Sequence, residues 1–181
     1  MYYTTTGNNL EDEMTSLASA NNANLISITT RPDGSYAAVF NAPITSIGGN
    51  AFVYCSDLTS LTIPNSVTSI GYGAFYYCSG LTSVTIPDSV TSIGRYAFCN
   101  CSSLTSLTIG RSVTSIENGA FHSCSSLTNV TCLRNNPPTL GSNAFYSIQS
   151  NAVLHVPSGC ASNYSGWSSY FGGGIFGDAT M

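Results

Sequence analysis

The dipeptide Ala-Phe falls at Ala51-Phe52, Ala74-Phe75, Ala97-Phe98 and Ala120-Phe121, 23 residues apart each time, and again at Ala144-Phe145 after 24. Cysteine keeps the same 23-residue step at Cys55, Cys78, Cys101 and Cys124. The stretches beginning at Ser56, Ser79 and Ser102 nearly superimpose. Repetition this regular confines the chain to architectures that stack one short unit on the next. A single unit cannot bury its own apolar residues, whereas a stack buries them in a continuous column.

Within one unit the apolar positions are Leu58, Leu61, Ile63, Val67, Ile70, Ala74, Phe75 and Cys78. The spacing L-x-x-L-x-L is the strand signature of a leucine-rich repeat. Leu61 and Ile63 lie two apart and share one face of a strand, with Ser60 and Thr62 on the other. Pro64 ends that strand, because a prolyl nitrogen cannot donate to a ladder. The β-branched stretch Val67–Ile70 predicts a second short strand, Gly71 a corner, and 72–78 one or two helical turns supported by neighbouring coils. The expected fold is a leucine-rich-repeat solenoid, mostly β with short helical turns, of about five 23-residue coils. Each coil advances the stack by about 4.8 Å, giving a sheet on the order of 20–25 Å long.

A solenoid exposes apolar edges unless its ends are covered. Residues 1–43 depart from the repeat and are expected to form an N-terminal cap. Leu10, Met14 and Leu17 outline a helical face behind Asn8 and Asn9, and the acidic run Glu11-Asp12-Glu13 suits the first turn of that helix. Leu25–Thr29 and Ser35–Phe40 flank Arg31-Pro32-Asp33-Gly34 and read as a hairpin. Residues 44–150 carry the repeats. Residues 151–181 are expected to form the C-terminal cap: a last strand at Val153–Val156, a short helix from Ser158 to about Gly166, and an aromatic cover of Trp167, Tyr170 and Phe171. All three parts belong to one structural domain.

Function is bounded by charge. Only 8 acidic residues and 4 arginines are present, there is no lysine, and the formal net charge is −4. No basic cluster exists to neutralise phosphates, so neither nucleic acid nor an anionic membrane surface is an expected partner. No apolar run approaches the roughly 20 residues that cross a bilayer. Met1–Thr6 has neither the basic nor the apolar region of a signal peptide. Two locations follow as expectations: outside the cell after removal of a leader, or within an assembly such as a phage virion.

The unit L-T-S-L-T-I-P-x-S-V-T-S-I-G-x-x-A-F-x-x-C resembles the BspA-like (Treponema pallidum type) leucine-rich repeat over residues 44–150. The tail Val153-Leu154-His155-Val156-Pro157-Ser158-Gly159 followed by Trp167 is similar to the C-terminal cap of such proteins from gut Bacteroidetes. The Gly-rich ending from Gly172 to Thr180 departs from that pattern. The resemblance implies a secreted or surface-attached protein that works in adhesion and other protein contacts.

No residue is assigned a catalytic role. His122 and His155 are far apart in the stack and share no partner, so neither resembles a triad base. Gly172–Gly177 matches G-x-G-x-x-G but has no helix after it, which excludes a dinucleotide site. No cofactor is expected, and a column of thiols on one line does not converge as metal ligands must. Cys55, Cys78, Cys101 and Cys124 are read as a buried thiol column, pointing the same way and so poorly placed for disulfides. Cys99 shares a slot with Val53, Tyr76 and His122 and is expected to point outward.

Two surfaces remain as candidates for a protein or glycan partner. One is the outer sheet face, with Ser60, Thr62, Ser83, Thr85, Ser106, Thr108, Asn129 and Thr131. The other is the helical-turn side, where Tyr72, Tyr76, Tyr77, Arg95, Tyr96, Asn100 and His122 vary from coil to coil. Exposed aromatics and Arg are the usual anchors of an interface. The expectation is a non-enzymatic protein-binding or adhesion module, with a structural or receptor-binding virion subunit as the alternative.

Overall fold

The computed structural model describes residues 2–4, 25–30, 36–40 and 42–179. Two parallel five-stranded sheets form opposite sides of a coil. One is built from two-residue strands at the Ser-Ile step of the repeat: β4 (Ser46–Ile47), β6 (Ser69–Ile70), β8 (Ser92–Ile93), β10 (Ser115–Ile116) and β12 (Thr139–Leu140). The other contains β7 (Ser83–Ile86), β9 (Ser106–Ile109), β11 (Asn129–Cys132), β13 (Val153–Pro157) and β14 (Gly174–Ala179). The register keeps the repeat step, with Ser83 opposite Ser106 and Ser106 opposite Asn129. Each side chain therefore sits over its equivalent in the next coil. The solenoid makes about six turns.

At the first end, β1 (Tyr2–Thr4) runs antiparallel between β3 (Tyr36–Phe40) and β5 (Ser60–Thr62), and β2 (Leu25–Thr30) pairs with β3. The antiparallel β2–β3 pair matches the strands expected of a hairpin. The helix predicted on Leu10, Met14 and Leu17, and the Arg31–Gly34 turn, lie outside the described residues.

Alternate strand residues feed the core. Val84 and Ile86, Leu107 and Ile109, and Val130 and Cys132 are buried, while Ser83, Ser106 and Asn129 are exposed. Along the axis runs a spine of five phenylalanines. Phe52, Phe75, Phe98, Phe121 and Phe145 stack with centroids 5.1, 4.9, 5.3 and 5.2 Å apart and ring planes within 10°. Each ring is buried, which contributes about 1.5–3 kcal/mol from area alone. Trp167 and Phe171 pack at 5.5 and 5.3 Å from Phe145 and cover the last ring of the spine.

The turn side between the sheets takes a form that periodicity alone does not define. The N–H groups of Gly73, Phe75 and Tyr77 donate forward to the carbonyls of Arg95, Ala97 and Cys99 in the next coil. Those of Ala74, Tyr76 and Cys78 donate within the coil, to Gly71, Gly73 and Phe75. The expected helical turns are thus successive tight turns, with every second amide tied to a neighbour. Two positions per coil adopt positive φ and interrupt any helical run. The first holds Asn50, Gly73, Tyr96, Gly119 and Asn143, and the second Tyr54, Tyr77, Asn100, Ser123 and Ser147.

Coil corners are locked by threonine. Thr82, Thr105 and Thr128 donate their hydroxyls to the main-chain carbonyl of the equivalent Thr one coil back, at 3.1–3.3 Å. Thr68, Thr91 and Thr114 do the same on the opposite side, at 3.1–3.2 Å. This explains a surface rich in Thr and poor in ions: the hydroxyls are inter-coil fasteners. At Gly94 a Cβ would lie 2.7 Å from Gly71 carbonyl carbon and 2.9 Å from Ile70 oxygen, so the corner permits close approach of two backbones.

The Gly-rich tail is resolved as β14, parallel to β13 through the pairs Val153–Gly174, Leu154–Ile175 and His155–Phe176. The expected helix near Ser158 is a 3-10 helix at Ala161–Trp167.

Candidate functional site

The thiols of Cys78, Cys101 and Cys124 are fully buried and donate to the Phe52, Phe75 and Phe98 carbonyls of the preceding coil, at 3.0–3.2 Å. Burial holds the Cys101 and Cys124 thiols well above the usual range. Cys55 corrects the expectation of a four-member buried column: it is half-buried, because it opens the stack, and its Sγ lies 3.8 Å from Val53 oxygen in its own coil. None of the seven cysteines is joined in a disulfide.

Cys99 is a second correction. It is 4% exposed, not outward, and desolvation raises its pKa against a hydrogen bond from Asn100 Nδ2 at 3.2 Å. A small thiol in the slot shared with Tyr76 and His122 sinks between larger neighbours.

The sheet-face columns lie where alternation places them. Ser60, Thr62, Ser83, Thr85, Ser106 and Asn129 are exposed, and Thr108 and Thr131 half-buried. They form a shallow face of small polar groups.

The turn side is concave. A groove of about 780 Å³ is lined by Tyr72, Tyr76, Arg95, Tyr96, Asn100 and His122, together with Asn50, Val53, Tyr54, Cys99, Asn118, Gly119, Ser123, Ser142 and Asn143. Six of the seven residues singled out from sequence on this side are brought together. Tyr77 stays at the rim, 5.4 Å from Tyr54 and 4.7 Å from Tyr76 between ring centroids. The remaining lining residues were missed although a signal for them existed. The signal is the repeat step itself: Asn50, Val53, Tyr54, Asn118, Ser142 and Asn143 occupy the same four slots in other coils.

Large and small residues alternate down the groove. A Cβ on Gly73 would strike the Asn50 side chain, and one on Gly119 would strike the Tyr96 ring. Each glycine thus makes room for the larger residue of the coil before. Tyr72 and Tyr96 meet edge to face at 6.2 Å, and Tyr54 and Tyr76 do so at 6.0 Å. The Arg95 guanidinium lies 4.9 Å over the Tyr96 ring and donates to its hydroxyl at 3.3 Å, which raises the Arg95 pKa further. Glu117 accepts the Arg95 backbone N–H at 3.0 Å. The Tyr76 phenol is raised by desolvation first, then by Cys99 and the surrounding tyrosines.

The two histidines stay apart, as the sequence implies. His122 Nδ1 pairs with Ser123 Oγ at 2.8 Å in the groove, and His155 Nδ1 pairs with Asp178 at 2.7 Å on the β13–β14 strand pair. Among the described residues no three His, Cys, Asp or Glu side chains converge on a cation site. Among those residues, too, no helix is long and apolar enough to cross a membrane.

Short parallel strands, a stacked phenylalanine spine and a variable concave side define a repeat solenoid of leucine-rich type, a class of binding module. The family model for the BspA type leucine-rich repeat region matches residues 45–165 in six copies, and the chain belongs to that family. No curated protein matches the chain. Among solved structures it is similar to the T. pallidum leucine-rich repeat protein, at 27% identity and a TM-score of 0.58, over 71% of this chain and 67% of that one. It also matches a leucine-rich cell surface protein from Faecalibacterium prausnitzii A2-165, at 30% identity and a TM-score of 0.45, over 71% of this chain and 36% of the other. A leucine-rich repeat protein from Bacteroides capillosus ATCC 29799 aligns at 24% identity and a TM-score of 0.41, over 72% of each chain. The chain thus spans about a third of the F. prausnitzii protein it matches.

Proposed function

We propose that the chain is a non-enzymatic adhesion module that acts at a cell surface and presents its turn side to an extracellular protein or glycan. The observation that carries this reading is the tyrosine groove. Tyr54 and Tyr72, which line it, are 66% and 55% exposed on one side of an otherwise ion-poor, hydroxyl-covered molecule. Exposed tyrosines supply contact area at low entropic cost and keep a polar tip for orientation. Family membership supports the reading, because the repeat unit resembles those of surface-attached adhesive proteins.

The test is surface capture of immobilised extracellular-matrix proteins and glycans by the whole chain. Two variants accompany it: Tyr72→Ala with Tyr76→Ala in the groove, and Thr85→Arg with Thr108→Arg on the sheet face. The reading expects capture that the groove variant abolishes and the sheet variant leaves intact. Capture by neither class of ligand sinks it, and loss in the sheet variant alone moves the site to the other face.

A further inference from the structure

We infer that the groove takes an uncharged linear oligosaccharide, with about one sugar ring per coil. The assignment rests on the adhesion reading and narrows it to one ligand chemistry.

Several observations converge on it. Tyr54 and Tyr72 line the groove with much of their side chains exposed, and such aromatic rings are electron-rich surfaces on which the C–H face of a pyranose stacks. Around them stand amides and hydroxyls, from Asn50, Asn118, Asn143 and Ser142. Such groups both donate and accept, as vicinal sugar hydroxyls do. Asn118 is already oriented, since its Oδ1 accepts the Ser142 N–H at 3.0 Å.

Charge argues against an acidic ligand. Apart from His122, Arg95 is the one charged residue lining the groove, and it is engaged with Tyr96 beside the Glu117 carboxylate. A polyacidic ligand would lose hydration there with a single guanidinium to compensate it. Strand-like peptide docking is disfavoured too. Main-chain amides of the groove wall are spent between coils, as in Tyr96 N–H to Asn118, Asn100 N–H to His122 and Ser123 N–H to Tyr146. Those amides are not open to a ligand, whereas an added strand needs a row of main-chain partners.

The repeat supplies the metric. Successive rings of the spine are 4.9–5.3 Å apart, comparable with the advance of one pyranose along an extended chain. Groove residues run from Asn50 to Asn143, one set per coil. Backbone strain points to the same place. Tyr54, Tyr77 and Tyr96 adopt φ of 62°, 60° and 56°, in slots that other coils fill with Asn, Gly or Ser. A bulky side chain there is uncommon, and such strain is characteristically retained at ligand sites.

The experiment presents the whole chain to immobilised neutral oligosaccharides of increasing length, acidic oligosaccharides and a proline-rich peptide. The expected result is binding of a neutral oligosaccharide that strengthens up to about five rings, one per coil. Tyr72→Ala and Tyr76→Ala should each weaken it about tenfold, while Tyr72→Phe retains it. Saturation transfer from the tyrosine rings should reach the sugar ring protons. Circular dichroism melts of the variants check that the fold is kept. Binding confined to acidic sugars or to the peptide overturns the inference, as does neutral binding indifferent to both alanine variants. Should a deglycosylated matrix protein bind through the same tyrosines while no oligosaccharide does, the adhesion reading stands and the sugar assignment falls. Failure of every ligand removes both.

Discussion

Removing Phe98 tests whether the spine couples neighbouring coils or merely fills space. Its ring centroid lies 4.9 Å from that of Phe75 and 5.3 Å from that of Phe121, nearly parallel to both, and it is fully buried. Phe98→Ala loses the burial of the ring and leaves a cavity between two coils, together costing about 3–5 kcal/mol. For a chain of this size about 1 kcal/mol shifts Tm by roughly 2–4 °C, so a fall on the order of 6–20 °C is expected. The sharper quantity is the coupling energy. A double-mutant cycle on the adjacent pair Phe98 and Phe121 should give about 0.5–1.5 kcal/mol for the stack. The cycle on Phe75 and Phe121, which have Phe98 between them, should be additive within about 0.5 kcal/mol. Urea unfolding followed by far-ultraviolet circular dichroism reads the whole stack, and fluorescence of Trp167 reads its last coil, since Trp167 contacts Phe145. Equal coupling for the two pairs, or a Phe98→Ala cost below about 1 kcal/mol, would refute nearest-neighbour packing as the source of cohesion.

Alkaline pH should destabilise the chain. The folded pKa values of Cys101, Cys124 and Cys132 are raised, chiefly by burial, so the unfolded chain loses those protons first and stability falls as pH rises above about 9. Each such thiol contributes a slope of at most about 1.4 kcal/mol per pH unit above about pH 9, so Cys124→Ala should flatten the fall in melts taken between about pH 9 and 11. Native alkylation read by mass spectrometry should modify half-buried Cys55 and Cys160 before buried Cys99, Cys101 and Cys124; labelling of Cys99 first would restore the outward placement. Gly94→Ala should cost about 1–3 kcal/mol in urea unfolding, since its methyl meets backbone of the preceding coil. A neutral result there would mean that the corner opens to admit a side chain, as it does at Glu117 in the equivalent slot.

The fold was legible because the repeat registers every coil against the next. Once Leu107 and Ile109 are read as inward, Val84, Ile86, Val130 and Cys132 follow by step alone, and all are buried. Where identity departs from the repeat, legibility fails. Cys99 was placed outward by its slot, yet a thiol is small enough for its neighbours to close over it. β14 was unassigned because Gly-rich sequence has no apolar alternation; its strand comes from main-chain pairing with β13. The groove was half legible. Variable aromatic slots point to the turn side, but the positive φ at Tyr54, Tyr77 and Tyr96 is not legible, because tyrosine is not a residue that signals that conformation.

The threonine fasteners have a consequence for how such a molecule changes over generations. The hydroxyls of Thr82, Thr105 and Thr128 each donate to the coil before, at a main-chain carbonyl that every residue type provides. A coil duplicated or deleted as a unit therefore meets the same acceptor and keeps the same register. Outward side chains such as Ser83 and Ser106 lie outside those hydroxyl joints and can change without removing a fastener. Gene-level gain or loss of one unit would lengthen or shorten the recognition surface by a single step, and point changes would rewrite it without touching the frame.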